Sequence, residues 1–309
     1  MNIVSFNMAE RENRPELSVI IVNYNSADYL DACLESLRQD QGVIFETVVV
    51  DNASPEPFRQ VTDKFPEVRV IESEKNVGFA GANNKVIEET DTPFVLLLNP
   101  DTEVTEEALG SLVNFLKENQ NVGVVGPKLV HNDGSVDWRC RRGLPTPQNM
   151  LAKALGLKKL FPDDPRFSQY SLSHLDPNET AEVGAVSGAC MMVRREAIEQ
   201  AGLLDEGYFM MIEDVDWMYR IGQTVNPETG ETWDIFYFPE VEVVHHGGKS
   251  RAKAPFKSSL DLYRSMRRFN NKHFLPEHNL LMRIMLEAGL LVYWGISASK
   301  VIKYHLKNK

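Results

Sequence analysis

Four apolar runs punctuate the first hundred residues: Leu17 to Val22, Thr47 to Val50, Val68 to Ile71 and Phe94 to Leu98. They are short and rich in β-branched and aliphatic residues, and all but Val68 to Ile71, which Arg69 interrupts, are continuous rather than alternating. Strands of that kind are buried on both faces, the condition of parallel strands covered by helices. Helical spacing separates them. Leu30, Leu34 and Leu37 recur in DYLDACLESLRQ, with Ser26 as the cap. A short helix near Lys85 to Glu89 follows the polar, glycine-containing NVGFAGANN, and another runs from Glu106 to Lys117 with Thr105 as cap and two glutamates in its first turn. The alternation predicts an α/β chain with a Rossmann-like, mostly parallel central sheet flanked by helices.

Three of the apolar runs stop at polar residues: Asn23 to Ser26, Asp51, and Asn99-Pro100-Asp101. In open α/β sheets the carboxyl edge of the strands is where ligands bind. Beyond Val122 the pattern loosens. VGVVGPKLV reads as strand plus turn, residues 131–180 as loops over the sheet edge, and Val183 to Val193 as one buried strand. A helix from Arg194 to Ala201 stops at Gly202 and a second, EDVDWMYRIG, ends at Gly222. NPETG turns between two strands, the second being Asp234 to Phe238, and His245-His246-Gly247-Gly248 forms a polar loop.

The formal charge of -11 over 309 residues excludes a general nucleic-acid binder, which needs clustered cations against phosphate. A small anionic ligand still binds if a metal supplies local positive charge. Cys33, Cys140 and Cys190 are scattered and odd in number, which suits a reducing cytoplasm. Residues 1–16 carry no basic-then-apolar signal and read as a flexible arm. Leu280 to Ile302 is largely apolar, but Arg283 and Glu287 within it would be costly at mid-bilayer. Arg264, Arg267, Arg268 and Lys272 precede it, and Lys300, Lys303, Lys307 and Lys309 lie in or after its end. That pattern reads as an interfacial helix on anionic lipid, peripheral on the inner face of the cytoplasmic membrane. The alternative is a helical pair packed on the core or on the second copy of a homodimer.

Asp51, closing VVVD, either accepts a hydrogen bond from a base imide or ribose hydroxyl or caps its own turn. Asp101 leaves a buried strand at the same edge. Two carboxylates at neighbouring strand ends suit a polyphosphate bridged by Mg²⁺ or Mn²⁺; the competing reading of Asp101 is a helix cap. His245 and His246 adjoin two glycines, with Lys249 and Arg251 following, a setting for a metal or phosphate contact. Glu213 and Asp216 are three apart and share a helix face, with Asp214 pointing elsewhere. The apolar FMM before them would desolvate a neighbouring carboxylate and raise its proton affinity toward that of a general base.

In order, LSVIIVNYNS, VVVDNAS, NVGFAGANN, LLLNPDTEV, SGACMMVRREAIEQAGLLDEGYFMMIEDVDWMYRIG and VVHHGG resemble the family 2 (GT-A fold) inverting glycosyltransferases, in particular the bacterial rhamnosyltransferase-like branch. The resemblance covers about residues 17 to 250. It implies a GT-A catalytic domain at 17–250, with a nucleotide-sugar half at 17–125 and an acceptor half at 126–250, and a C-terminal helical extension at 251–309. It implies that Tyr24, Asn25, Asp51, Gly78, Phe79, Asn83, Asn99 and Asp101 meet the donor, a dTDP- or UDP-sugar. Asp101 stands where relatives carry DxD and with His246 would hold Mn²⁺ or Mg²⁺. Asp214 would be the catalytic base, with Glu213, Asp216, His245 and Lys249 in support. The implied reaction moves a sugar, L-rhamnose from dTDP-L-rhamnose first, to a glycan or polyprenyl-diphosphate-linked acceptor in cell-surface polysaccharide assembly. Two alternatives are a nucleotidyltransferase that makes nucleotide sugars and a non-catalytic nucleotide- or sugar-binding module.

Overall fold

The computed structural model describes residues 14–161, 164–247, 255–277, 279–280, 283–284, 287–292, 294–295 and 298–299. Lys249, Arg251 and most of the N-terminal arm lie outside them. In chain order the elements are β1 (Leu17–Asn23), α1 (Ala27–Gln39), β2 (Phe45–Asp51), α2 (Arg59–Thr62), β3 (Arg69–Glu72), α3 (Gly78–Glu89), β4 (Phe94–Leu98), β5 (Thr102–Val104), α4 (Ala108–Glu118) and β6 (Val122–Val130). Then follow β7 (Arg141–Arg142), α5 (Pro147–Ala154), α6 (Leu157–Leu160), α7 (Pro165–Ser168), β8 (Ala181–Glu182), β9 (Ala185–Val186), β10 (Cys190–Arg194), α8 (Arg195–Ala201), α9 (Glu213–Ile221), β11 (Asp234–His245) and α10 (Pro255–His273).

The main sheet has the order β3-β2-β1-β4-β10-β6-β11-β5, with β8 paired to β11. The strands β3, β2, β1, β4, β6 and β11 run one way, and β10, β5 and β8 run against them. The expected mostly parallel sheet is therefore present, with β10 as an antiparallel wedge between β4 and β6. Its continuous apolar strands are buried: Val19, Ile20, Ile21, Val48, Val49, Leu96 and Leu97 have no exposed surface. Cys33, Cys140 and Cys190 are free, buried thiols.

Several local expectations are corrected. The NVGFAGANN segment is not a loop before a short helix: α3 begins at Gly78, because its small residues and Asn83 and Asn84 are buried. The helix after β5 begins at Ala108, and Thr105 does not cap it with its side chain; Asp40 reaches from the end of α1, its Oδ2 accepting from the Leu109 amide at 2.9 Å. Thr105 instead donates to the Glu242 carbonyl. The apolar stretch Val183 to Val193 breaks into β9 and β10 at Ser187-Gly188-Ala189. Among the described residues, 131–180 hold three short α-helices, a 3-10 turn at Trp138–Cys140 and the strand β7 rather than loops alone. NPETG turns between Val225 and Thr232, which form a single bridge rather than a strand pair, and β11 begins at Asp234 and continues past Phe238 to His245.

The basic residues before the apolar tail are also spent differently from their sequence reading. Arg268 and Lys272 pair with Asp205, Lys272 and His273 reach Asp216, and Arg267 pairs with Glu287. With Phe269 and Met266 buried, these contacts pack α10 onto the core. Among the described residues no helix is long and apolar enough to cross a membrane.

Candidate functional site

The parallel strands deliver their polar termini to one edge of the sheet, where a cavity of about 480 Å³ opens. Residues 17–125 line it with Tyr24, Asn52, Gly78, Phe79, Asn99 and Asp101, and residues 126–250 with Arg142, Tyr170, Gly188, Glu213, Asp214 and His245. Residues more than a hundred positions apart therefore face one space.

Asp51 is buried at the end of β2. Its Oδ1 accepts from Asn23 Nδ2 at 2.8 Å and its Oδ2 from the Ser54 amide at 2.9 Å, while its neighbour Asn52 lines the cavity. Asn25, in the left-handed region at φ 53°, donates its amide to Ser54 Oγ, and its buried Oδ1 has no partner. Gly78 has φ +81°, and a Cβ there would sit 2.6 Å from the Phe209 carbonyl oxygen, so only glycine fits. Asn83 lies fully buried in α3, donating to the Phe79 carbonyl at 2.8 Å, and does not line the cavity.

Asp101 follows β4 and faces His245, with 3.5 Å between Oδ1 and Nε2. Burial opposes ionisation of Asp101, but hydrogen bonding and charge from His245 outweigh it and hold the carboxyl below its ordinary range. On its other side, His245 Nδ1 is 3.5 Å from the buried Asp137, whose carboxylate is clamped by Arg139 through Nε and Nη2. Burial works against the imidazolium, and the two carboxylates raise its proton affinity above the usual value. His246 points away: its Nε2 meets Glu103 Oε1 at 2.5 Å and its ring lies against Tyr29. His245 ends β11 and His246 follows it, and successive side chains of an extended chain face opposite ways, so one histidine of the pair turns inward.

Among the described residues, no group of three or more His, Cys, Asp or Glu side chains stands together as a metal cage. Asp101 with His245 supplies one hard oxygen and one imidazole on a cavity wall. That donor set fits a divalent ion that completes its shell with ligand phosphates and water, as Mg²⁺ commonly does.

The acids of α9 divide in a way their spacing did not indicate. Asp216, expected on the face of Glu213, is fully buried away from the cavity, accepting from the Tyr208 hydroxyl, Arg220, Lys272 and His273. Glu213 and Asp214 both line the cavity. Asp214 Oδ2 accepts from Arg142 Nη2 at 2.9 Å and from the Gly188 amide at 3.1 Å. A Cβ at Gly188 would press on Asp214 at 3.1 Å, so the break between β9 and β10 makes room for this carboxylate. Met211 and Ile212, at φ 70° and 74°, carry the chain into α9 in a conformation that costs non-glycine residues roughly 1–2 kcal/mol each. Hydrogen bonds to Phe209 and Met210 from the Phe79 amide and the Ser265 hydroxyl hold this segment.

Glu213 is pushed up to about 8, first by burial and then by the charge of Asp214, and its Oε2 has no partner. Its proton affinity in the folded chain therefore exceeds the unfolded value of about 4.3. The stability this proton gives is complete below about pH 4 and is lost as pH rises toward 8. Replacing the acid with an amide removes that dependence. Glu213→Gln is expected to raise the melting temperature slightly at pH 5 and more at pH 8, read in thermal melts of both proteins. An equal gain at both pH values would show that Glu213 holds no proton.

Arg142, Gly188 and Asn52 were missed in the sequence. The RCRRG run marks a cationic segment, but only the pairing of β7 with β9 brings Arg142 to Asp214. Trp138, Tyr170 and Lys153 also line the cavity, from a stretch with no periodicity to find them by.

The sequence model of the family described as Glycosyl transferase family 2 matches residues 18–202. The chain is 29% identical over 251 residues to the N-acetylglucosaminyl-diphospho-decaprenol L-rhamnosyltransferase of Mycobacterium tuberculosis, covering 77% of this chain and 78% of that one. It is 28% identical over 256 residues to a low-salt glycan biosynthesis hexosyltransferase of Haloferax volcanii, covering 82% and 73%. Similar solved folds include S. aureus TarS 1–349 in complex with UDP-GlcNAc, with TM-score 0.55, 19% identity and coverage of 89% and 71%. A mannosyltransferase from Pyrobaculum calidifontis in complex with GDP-Man and Mn²⁺ matches with TM-score 0.55, 14% identity and coverage of 96% and 76%. At these identities the structures speak for the fold, which is the expected GT-A fold.

Proposed function

The chain belongs to glycosyl transferase family 2, and we propose that it is an inverting transferase moving L-rhamnose from dTDP-L-rhamnose to a lipid-linked glycan in cell-surface polysaccharide assembly. The observation that carries this reading is that Asp101 and Asp214, from opposite halves of the chain, line one cavity. Residues 17–125 form the donor half and 126–250 the acceptor half. The rhamnose and the diphospholipid acceptor follow the activity for which the Mycobacterium tuberculosis relative is named.

In this reading Asp214 takes the proton from an acceptor hydroxyl. The freed oxygen attacks the anomeric carbon as the bond to the nucleoside diphosphate breaks, and the configuration inverts in one displacement. Arg142 and the Gly188 amide fix the carboxylate through Oδ2. Oδ1, which among the described residues accepts from the Val215 amide alone, keeps a lone pair for the proton. Tyr24, Asn52, Gly78, Phe79 and Asn99 border the donor, and Asp51 braces the turn that carries Asn52. Asp101 and His245 would hold a divalent ion, Mn²⁺ or Mg²⁺, whose chemistry is to stabilise negative charge on the departing diphosphate. The enzyme works at the cytoplasmic membrane face. Leu280, Ile284, Leu291 and Val292, all exposed in the C-terminal helical residues, supply apolar surface for the bilayer boundary.

A panel of dTDP-, UDP- and GDP-sugars, with and without Mn²⁺, tests the donor, because a bound ligand raises apparent stability. dTDP-L-rhamnose is expected to give the largest rise in melting temperature, with dTDP released on adding acceptor. A larger rise with another sugar nucleotide overturns the rhamnose assignment, and release of pyrophosphate in place of a nucleoside diphosphate overturns transfer.

A further inference from the structure

One wall of the cavity is left over once donor and base are placed. Trp138, 48% exposed, and Tyr170 stand with ring centroids 6.2 Å apart, tilted by 59°. Lys153, on α5, sets Nζ 4.2 Å from the centre of the Tyr170 ring and 5.3 Å from that of Trp138. All three line the cavity, as does Arg142, which Asp214 and the Tyr170 side chain both face. Arg142 Nε is buried with no hydrogen-bond partner. The wall thus runs from the base through a guanidinium to two rings and an ammonium. Past Lys153 the same segment exposes Leu155, Leu160 and Phe161.

This order of chemistries matches one kind of molecule. A sugar presents C–H faces that lie against aromatic rings, an anionic linker seeks ammonium and guanidinium donors, and a hydrocarbon tail seeks apolar side chains. The cationic wall is notable in a chain of net charge -11. Lys153 is pulled down to about 8, first by desolvation and then by the positive charge of Arg142, a crowding of like charge that an anion would relieve. Lys153 as a residue is exposed to solvent, so its desolvation is incomplete.

We propose that Trp138, Tyr170 and Lys153 form the acceptor subsite for a prenyl-diphosphate-linked sugar, with the sugar on the two rings, the diphosphate on Lys153, and the prenyl chain leaving over Leu155, Leu160 and Phe161. This rests on the transferase reading above and assigns the acceptor end of the same cavity. The ring and cation contacts of Trp138 and Lys153 run to Tyr170 and to each other, and donor affinity is expected to be independent of them.

The test is direct binding to the full chain, followed by tryptophan fluorescence, with farnesyl diphosphate and farnesol as probes. Titrations run with and without saturating dTDP and Mn²⁺, so that a diphosphate entering the donor site is recognised by its loss under dTDP. Wild-type protein is expected to bind farnesyl diphosphate more tightly than farnesol even with dTDP present. Lys153→Gln is expected to weaken farnesyl diphosphate by about 10- to 100-fold, the effect of one charge-assisted contact. It should leave farnesol and dTDP affinities unchanged, and Lys153→Arg should restore most of the binding. Unchanged farnesyl diphosphate affinity in Lys153→Gln, or displacement of the probe by dTDP, overturns the subsite. A chain that binds farnesyl diphosphate at Lys153 but no sugar nucleotide would instead overturn the transferase reading and leave the anion site standing.

Discussion

Asp214→Asn is expected to bind donor as wild type does and to lose transfer by about 10²- to 10⁴-fold, the usual worth of a positioned general base. The amide oxygen can still accept from Arg142 and Gly188, whose donors lie 2.9 and 3.1 Å from Oδ2 in the native chain. What the variant lacks is a group able to take the acceptor proton. The same change leaves the Arg142 charge with a neutral partner. The pair is largely buried, with 13% and 14% of the two side chains exposed, so some stability is lost as well. The two effects separate by measurement: thermal melts report stability, calorimetry with dTDP reports donor affinity, and single-turnover transfer below the melting range reports chemistry. Normal turnover in Asp214→Asn would remove this residue from the role of base. The neighbouring Glu213, with its proton affinity raised, would then be the group to replace next.

Asp101→Ala is the second large effect. Removing preorganised stabilisation of a developing anion costs about 10²- to 10³-fold in rate. A loss of that size is expected here, together with loss of any increase in donor affinity that Mn²⁺ gives the native protein. The second readout is the sharper one. The melting temperature with dTDP should rise further on adding Mn²⁺ in wild type and not in Asp101→Ala. His245 would lose one of its two carboxylates and keep Asp137, so its ring orientation is not expected to collapse. If the Mn²⁺ increment survives in Asp101→Ala, the ion is held by other groups. The His246→Ala variant gives the contrast. Its ring is turned to Glu103 and Tyr29, so it should retain the Mn²⁺ increment.

Much of the sheet was legible because strand burial is written locally. LSVIIV, VVVD and FVLLL are apolar at successive positions, and only a strand covered on both faces uses such a run. The stop at Gly202 was legible for the same reason, since a glycine after an apolar helical stretch ends it through its own backbone freedom. The errors fell where a distant partner overrides a local preference. Thr105 is a good cap by type, yet Asp40 supplies the cap from another helix. The VGAVSGACMMV run looks like one strand, yet it breaks at Gly188 to admit Asp214.

The sequence by itself determined the α/β class, the strands of the parallel half, and the placing of Asp51 and Asp101 at strand ends. Only the tertiary structure decided which acids and which histidine share the cavity. The physical reason is parity and register. A strand turns successive side chains to opposite faces, so whether His245 or His246 points inward depends on how β11 is aligned. That alignment shifts between Phe238 and Glu242, where the partner β6 advances by a single residue from Pro127 to Lys128. An irregularity of that kind leaves no trace in composition or periodicity. The same holds for α9, where α10 draws Asp216 into an ion cluster and leaves Glu213 and Asp214 to the cavity.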